Sequence, residues 1–335
     1  SGFSVGVRTE SKYGTYIFNS GTIAAGGGYN PWAIVSYSEG NTYIENAASG
    51  VIDGTVWTNS GYGNDTLNNR GKWFAYGNQT WSNGSYFGFG NDVINNFSTG
   101  KIYMNDSLID MGYGENSFLN NGKLYANGYN VIDMGNSYSV FTNNGSSIHM
   151  EDGDTDDSLT IFGTFAGTGR IVVDANGNSM LADRLYIEGD VVTNTANTID
   201  VFMVNAPSVA ALVNGDEIDI VNVSGVSTAA NFNLGIVTIT QDELYEVEAT
   251  LNKHINYSGS NDLFSLGFEI TGLSTAGTMA TTIAPGVQSL WNAGVGTLFQ
   301  REGTHREFNQ NPDGSATVAH KGSAGLWLRS FTSSG

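Results

Sequence analysis

Three aspartates in similar short motifs could perform acid–base chemistry. They occur in Ile52-Asp53-Gly54, Ile109-Asp110-Met111-Gly112 and Ile132-Asp133-Met134-Gly135. Two carboxyl groups placed on either side of a glycosidic bond can hydrolyse it, one as acid and the other as base or nucleophile. An aspartate that recurs at one phase of a repeat is also typical of a chain corner, where its carboxylate accepts backbone N–H bonds. The sequence favours the corner and keeps Asp110 and Asp133 as the catalytic alternative.

Nucleophilic catalysis is not indicated. The chain's four histidines, His149, His254, His305 and His320, are scattered along it rather than grouped in a recognisable catalytic motif. A serine hydrolase needs a nucleophile, a base and a group that orients the base. We therefore predict no catalytic residues, and a protein that is not an enzyme.

An acidic segment is the one candidate for metal binding. Residues 151–157, Glu-Asp-Gly-Asp-Thr-Asp-Asp, hold five acids in seven positions. Spaced carboxylates can bind Ca²⁺, but the twelfth position counted from Asp152 is Gly163, where an EF-hand loop needs Glu. We predict a solvated acidic loop, with neither a metal nor another cofactor.

Lysine and aromatic residues form the best candidate for a binding surface. The segments concerned are Lys72-Trp73-Phe74, Lys101-Ile102-Tyr103 and Lys123-Leu124-Tyr125. In strands, the middle residue of each would point inward, and the flanking lysine and aromatic residue outward. Stacking would then place a lysine column beside an aromatic column. Trp81 and the other aromatic residues of one segment, namely Trp73, Tyr76, Tyr86, Phe87 and Phe89, are predicted to extend this surface.

Two interpretations of that surface remain open. Exposed aromatic residues can contact sugars or bury against a protein partner. The same columns can instead stabilise the fold through packing between strands, without any ligand.

An irregular repeat indicates the elements that carry these residues. Apolar anchors at Ile17, Ile44, Leu67, Ile94, Leu119 and Phe141 are separated by 27, 23, 27, 25 and 22 residues, and each is followed by Asn and Gly. Each repeat leaves room only for short strands, which cannot cover an apolar face alone, whereas the strands of stacked coils cover it together. We therefore predict an all-β, right-handed parallel β-helix, with a β-sandwich as the alternative.

Composition agrees with that fold and narrows the function. Of 335 residues, 45 are Gly, 4 are Pro and none is Cys, which favours many tight corners without disulfides. The net charge of −19, with only 13 Lys and Arg, argues against nucleic-acid binding. No apolar run reaches about 18 residues, so no transmembrane helix is predicted.

Residues 158–189 carry a more specific pattern. They include Ser158-Leu159-Thr160-Ile161-Phe162-Gly163, then Gly167-Thr168-Gly169-Arg170-Ile171, then Ala182-Asp183-Arg184-Leu185-Tyr186-Ile187-Glu188-Gly189. These coils, followed by residues 215–221, resemble the C-terminal part of the pertactin-like passengers of bacterial autotransporters. The resemblance implies passenger repeats over 1–157 and an autochaperone-like region over 158–272.

The resemblance also implies a linker over 273–324 and the first strand of an outer-membrane barrel over 325–335. Apolar residues at helical spacing predict a helix over 283–307, with Pro285 in its first turn. Arg301, Gly303 and Arg306 resemble the end of such linkers. The Asn-Asn pair at which some family members cleave themselves is missing before Arg301.

In function, the resemblance implies export through the periplasm to the cell surface, with the full-length protein anchored in the outer membrane. We expect an adhesin or another host-interaction factor. Its partners would be a host surface or matrix protein, a glycan or a second copy, besides its own translocator barrel. The alternatives are a carbohydrate-active β-helix enzyme and a released effector that engages a host receptor.

Overall fold

The chain forms an all-β parallel β-solenoid followed by a helix. The computed structural model describes residues 5–25, 32–58, 61–76, 84–238, 245–257, 261–305, 308–310 and 316–318. Residues 1–242 and 246–272 form one compact unit, and residues 243–245 and 273–335 form a second. The first unit contains the solenoid.

Three sheets run along the solenoid, and each of the first seven coils contributes one strand to each of them. Sheet 1 has eleven strands, which in the order of pairing are Val7–Ser11, Trp32–Ser38, Thr55–Trp57, Ser85–Tyr86, Leu108–Asp110, Tyr129–Asp133, Ser158–Phe162, Arg184–Glu188, Ile218–Val223, Asn261–Leu273 and Tyr245–Tyr257. Its first nine strands pair in parallel. This pairing excludes the β-sandwich alternative.

The other two sheets are also parallel along their main path. Sheet 2 has seven strands: Thr15–Asn19, Thr42–Asn46, Thr66–Asn69, Val93–Asn96, Ser117–Asn120, Val140–Asn143 and Thr164–Gly167. Sheet 3 has ten: Thr22–Ala24, Val51–Asp53, Lys72–Phe74, Lys101–Asn105, Lys123–Asn127, Ser147–His149, Arg170–Asn176, Asn197–Asn205, Phe232–Thr238 and the short antiparallel Leu181–Ala182. The seven strands of sheet 2 correspond to seven coils.

The predicted anchors form the inner column of sheet 2, with one correction. Ile17, Ile44, Leu67 and Ile94 pair in succession, as the repeat predicts. In the next coil, however, Phe118 takes the inner position, because it pairs with both Ile94 and Phe141. Leu119, the predicted anchor, is only half-buried, since the side chains of a strand alternate between its two faces.

A buried asparagine ladder runs beside this apolar column. In each rung the side-chain amide N–H of one asparagine donates to the side-chain oxygen of the next, over 2.7–3.1 Å. The members are Asn19, Asn46, Asn69, Asn96, Asn120, Asn143 and Asn197. Each side chain also donates to a backbone carbonyl. The Asn that follows each anchor in the sequence is therefore a buried corner residue.

The strand pattern changes at the end of the solenoid. Strand Ile218–Val223 pairs in parallel with Arg184–Glu188 but antiparallel with Asn261–Leu273. A short helix, Val209–Asn214, and a 3₁₀ turn, Ala229–Asn231, lie in the connections. Phe232 and Phe264 pack edge to face at 4.7 Å, so the core continues into the antiparallel strand.

The second unit contains the helix Thr275–His305 and a small two-stranded sheet, Phe308–Gln310 with Ala316–Val318. The helix begins at Thr275 rather than at the predicted residue 283, and Pro285 lies inside it. Its first turn is capped instead by Ser274, whose hydroxyl accepts the backbone N–H of Gly277. Within the described part of the chain, no helix is long and apolar enough to span a bilayer. The predicted strand over 325–335 lies outside the described residues.

Candidate functional site

The outer face of sheet 3 carries the two predicted columns. Lys101 pairs with Lys72 on one side and with Lys123 on the other. Tyr103 pairs in the same way with Phe74 and Tyr125. The residues between them, Trp73, Ile102 and Leu124, are fully buried. The alternation and register that the sequence predicts are confirmed, whereas the binding role of these six outer residues stays a prediction.

The aromatic column is a continuous stack. Ring centroids lie 4.7 Å apart between Phe74 and Tyr103, 4.8 Å apart between Tyr103 and Tyr125, and 4.9 Å apart between Tyr125 and His149. The interplanar angles are 15°, 6° and 21°. Each inner ring therefore covers the faces of its neighbours. What Tyr103 and Tyr125 offer to solvent is their ring edges, so a sugar or base cannot lie flat on them.

The rest of the predicted aromatic surface is divided between the core and other faces. Trp73 and Phe87 are 0% and 1% exposed, so including them in the surface is wrong, and for Trp73 the inward position predicted from the strand alternation is the correct one. Tyr86 belongs to sheet 1. Phe89 stacks with Tyr113 at 5.4 Å in a corner. Trp81 lies outside the described residues.

Sheet 1 carries a second aromatic column, which was not predicted from the sequence. Trp57 lies between Trp32 and Tyr86, with ring centroids 5.8 and 5.5 Å apart and planes tilted by 55° and 56°. The spacing along the chain, 25 and then 29 residues, resembles the coil repeat and could have indicated the column. We assign no ligand to these rings.

Asp110 and Asp133 both form hydrogen bonds at chain corners. They occupy paired positions in sheet 1, and each accepts the N–H of the glycine two residues later over 2.8 Å. Asp110 is 2% exposed, and burial raises its pKa to about 7, while the Gly112 N–H lowers it and the charge of Asp133 raises it. Asp53 is on sheet 3, not in their column, because the similar motifs fall on different sheets.

A further corner ladder uses carboxylates that the motifs did not identify. The backbone N–H groups of Thr42 and Asp65 donate over 2.6 Å to the carboxylates of Asp65 and Asp92, respectively. Asn116 and Ser139 continue the ladder with neutral oxygens. Burial raises the pKa of Asp65 to about 6 and that of Asp92 to about 7, although the accepted N–H bonds lower both.

The acidic loop, residues 151–157, is hydrogen-bonded to segments that follow it in the chain. The backbone N–H of Asp157 donates to Asp183, whose other carboxylate oxygen accepts the N–H of Asp174. Asp174 in turn accepts the N–H groups of Asp152 and Gly153. Burial raises the pKa of Asp157 to about 6 and that of Asp183 to about 8, and it also raises that of Asp174. Among the described residues, no three His, Asp or Glu side chains are arranged to hold a metal ion.

The described histidine side chains have structural partners. His149 lies between Ser147 and Glu151, at 2.7 and 2.6 Å from their oxygens. His254 is 2.5 Å from a carboxylate oxygen of Glu217. His305 ends the long helix, and His320 lies outside the described residues. The described histidines are therefore not gathered into one site.

Two comparisons with known proteins gave no relative for this chain. No family model matches it, and no curated protein sequence is significantly similar to it. The parallel β-solenoid is therefore established by the structure alone.

Proposed function

We propose that this chain is the passenger of a bacterial autotransporter, with coils that wind in the right-handed sense. Two observations support the proposal. The fold is a parallel β-solenoid, and the motifs at 158–189 fall on its strands Ser158–Phe162, Arg170–Asn176 and Arg184–Glu188. No family model matches the chain, so the proposal rests on the resemblance of these coils to those of autotransporter passengers.

The end of the solenoid supports the same proposal. An autochaperone-like region must cover the last parallel strand, and Asn261–Leu273 does so by pairing antiparallel with Ile218–Val223, which leaves Tyr245–Tyr257 as the outer strand of sheet 1. The helix that follows exposes Ile283, Val287, Leu290 and Trp291. An apolar helix surface of this kind suits a segment that passes through a translocator.

We propose further that the passenger acts as an adhesin or another host-interaction factor at the cell surface, without catalysis. The observation that carries this function is the row of outward lysines and aromatic edges, held in register by sheet 3. A partner that meets this face would contact several coils at once, without ordering a loop, which lowers the entropic cost of binding. The alternative enzyme is not favoured, because Asp110 is buried and already accepts a backbone hydrogen bond.

The test is binding of the whole purified chain to immobilised glycans, matrix proteins, cultured host cells and itself. One variant replaces Lys101, Tyr103, Lys123 and Tyr125 by Ala. A matched control replaces two cations and two stacked tyrosines of the first coils by Ala, namely Arg8, Lys12, Tyr16 and Tyr43. We expect saturable binding that the first variant loses and the control retains.

The other outcomes separate the parts of the proposal. Equal binding by both variants would show that the sheet 3 columns are the wrong surface. An absence of binding across the panel would contradict the adhesin function. Surface location is tested by proteolysis of intact cells of the source bacterium, where a passenger at the surface is cleaved and a periplasmic protein is protected.

A further inference from the structure

The lysine column is an unusual arrangement of charge. Lys72, Lys101 and Lys123 lie directly opposite one another on adjacent parallel strands, about 4.8 Å apart. Like charges in directly opposed cross-strand positions destabilise a sheet. The chain has 32 acids and only 13 Lys and Arg, so a position beside an acid would be easy to provide. A cost to stability therefore persists where these three lysines lie side by side.

The other cations show that partners are normally provided. Among the side chains that the structure describes, the remaining six each contact a carboxylate or an aromatic ring: Arg8 with Tyr37, Lys12 with Tyr13, Arg70 with Glu45, Arg170 with Asp200, Arg184 with Asp219, and Lys253 with Asp262. The three column lysines have neither an ion pair nor a cation–π contact with any described residue. Their charges are therefore available to a ligand.

The neighbouring aromatic column narrows the class of ligand. Single-stranded nucleic acid is bound by stacking its bases on open ring faces. In the stack from Phe74 to His149, the rings cover one another, with centroids 4.7–4.9 Å apart. The edges of Tyr103 and Tyr125 can instead bring phenolic hydroxyls to polar groups of a chain that lies along the solenoid. A ligand recognised here needs regular negative charge and hydroxyl groups, and no flat base.

We infer that the lysine column and the tyrosine edges beside it bind an acidic polysaccharide, whose carboxylate or sulfate groups contact successive lysines along the solenoid. This inference rests on the proposed function, because it names the partner class of the same surface. Regular negative charge occurs both in sulfated glycans and in uronic-acid polymers without sulfate. The experiment distinguishes these two kinds of polymer.

The test measures binding of the whole chain to four immobilised polymers by biolayer interferometry: heparan sulfate, hyaluronan, neutral dextran and oligo(dT). We expect binding to one or both acidic polysaccharides and none to dextran. Three lysine contacts predict a slope of log K against log salt of roughly −2.1 to −2.7, which is about a 20- to 40-fold loss of affinity between 50 and 200 mM salt. Heparan sulfate without hyaluronan would indicate a sulfated ligand, and binding to both would indicate recognition of anionic sugars in general.

Single substitutions locate the site. Lys101→Gln, at the centre of the column, should weaken binding and reduce the salt slope by about 0.7–0.9. Lys12→Gln removes one exposed positive charge outside the column and should leave both the affinity and the salt slope unchanged. Tyr103→Phe keeps the ring stack and removes only the hydroxyl, so weaker binding by this variant would assign a contact to that group.

Stability provides a second measurement. Because Lys101 sits between two like charges, Lys101→Gln should raise the melting temperature of the unliganded protein while it weakens binding. A lower melting temperature would indicate that the lysine column is structural, and would overturn the inference. Equal effects of Lys101→Gln and Lys12→Gln, or oligo(dT) binding as tight as polysaccharide binding, would overturn it too. Saturable binding only to proteins, to cells or to dextran would reject the acidic polysaccharide and leave the proposed function standing, whereas no binding at all would reject both.

Discussion

At the scale of single residues, buried polar side chains define the coil register. Asn96 is fully buried, and it accepts a hydrogen bond from Asn69 and donates one to Asn120. A slip of one coil by one residue would leave these groups without partners, which costs about 1–3 kcal/mol for each buried group. The corner ladder of Asp65, Asp92 and Asn116 acts in the same way, but two of its members can carry a charge.

The two carboxyl groups of the corner ladder, Asp65 and Asp92, predict that the stability of the fold depends on pH. Asp92 has a pKa of about 7 in the folded chain because it is buried, against about 4 when unfolded. The folded state therefore binds the proton more tightly, and this contribution to stability is present below pH 4 and lost as the pH rises towards 7. Asp92→Asn should leave stability at pH 4 almost unchanged and raise it at pH 8, by at most about 4 kcal/mol at ~1.4 kcal/mol per pKa unit.

The measurement for Asp92→Asn is the urea midpoint at both pH values. Asn116 already occupies the next rung, so an amide is compatible with this position. Asp106→Asn, in an exposed corner, controls for the removal of one negative charge from an acidic protein. If Asp92→Asn were no more stable than the parent at pH 8, the buried carboxylate would not be the source of the pH dependence.

At the scale of the elements, the corners determine how closely the coils approach. Gly88, Gly112 and Gly135 form one such column: a Cβ on Gly112 would lie 1.8 Å from the Gly88 carbonyl oxygen, and one on Gly135 would lie 1.7 Å from that of Gly112. Only glycine allows this contact. Gly112 and Gly135 end two of the repeated Ile-Asp motifs in the sequence, and their small size allows the coils to pack closely.

A matched pair of substitutions separates packing from backbone strain. Gly112 and Gly145 have φ values of +71° and +66°, but no atom lies within 4 Å of a Cβ built on Gly145. Both Ala variants carry the left-handed penalty of about 1–2 kcal/mol. Gly112→Ala should lose roughly 1–3 kcal/mol more, because it forces two coils apart. Urea denaturation measures the difference in stability. Equal losses in the two variants would show that the close contact between coils at Gly112 does not add to the cost.

The elements also show what could be predicted from the sequence. The Lys-x-aromatic segments placed Trp73, Ile102 and Leu124 inward correctly, because strict alternation fixes the two faces of a strand. The same approach chose Leu119 instead of Phe118, because two adjacent apolar residues do not reveal which of them points inward. It grouped Asp53 with Asp110, since similar local motifs occur on different sheets. Pro285 was placed at a helix start, although the helix begins at Thr275.

At the scale of the solenoid, strand pairing joins each coil to the coils next to it, and the Asn143–Asn197 hydrogen bond is a contact that skips one coil. Interior coils have two neighbours, whereas the first described coil pairs on one side only, as Ile17 does with Ile44. Stability in such arrays is approximately a sum of terms for each coil and for each interface between neighbours. Damage at an end should therefore remain local, and damage in the middle should spread to both sides.

Hydrogen exchange tests this view with two truncations in the inner column of sheet 2. Ile17→Ala, in the first described coil, should increase amide exchange in strands Thr15–Asn19 and Thr22–Ala24 and leave the later coils protected. Phe118→Ala removes a fully buried ring that packs on Phe141 at 4.8 Å and should cost about 3–5 kcal/mol. Because Phe118 pairs with both Ile94 and Phe141, protection should fall in the coils on either side. If Ile17→Ala lowered protection equally along all the coils, the solenoid would unfold as one cooperative unit, and the nearest-neighbour description would be wrong.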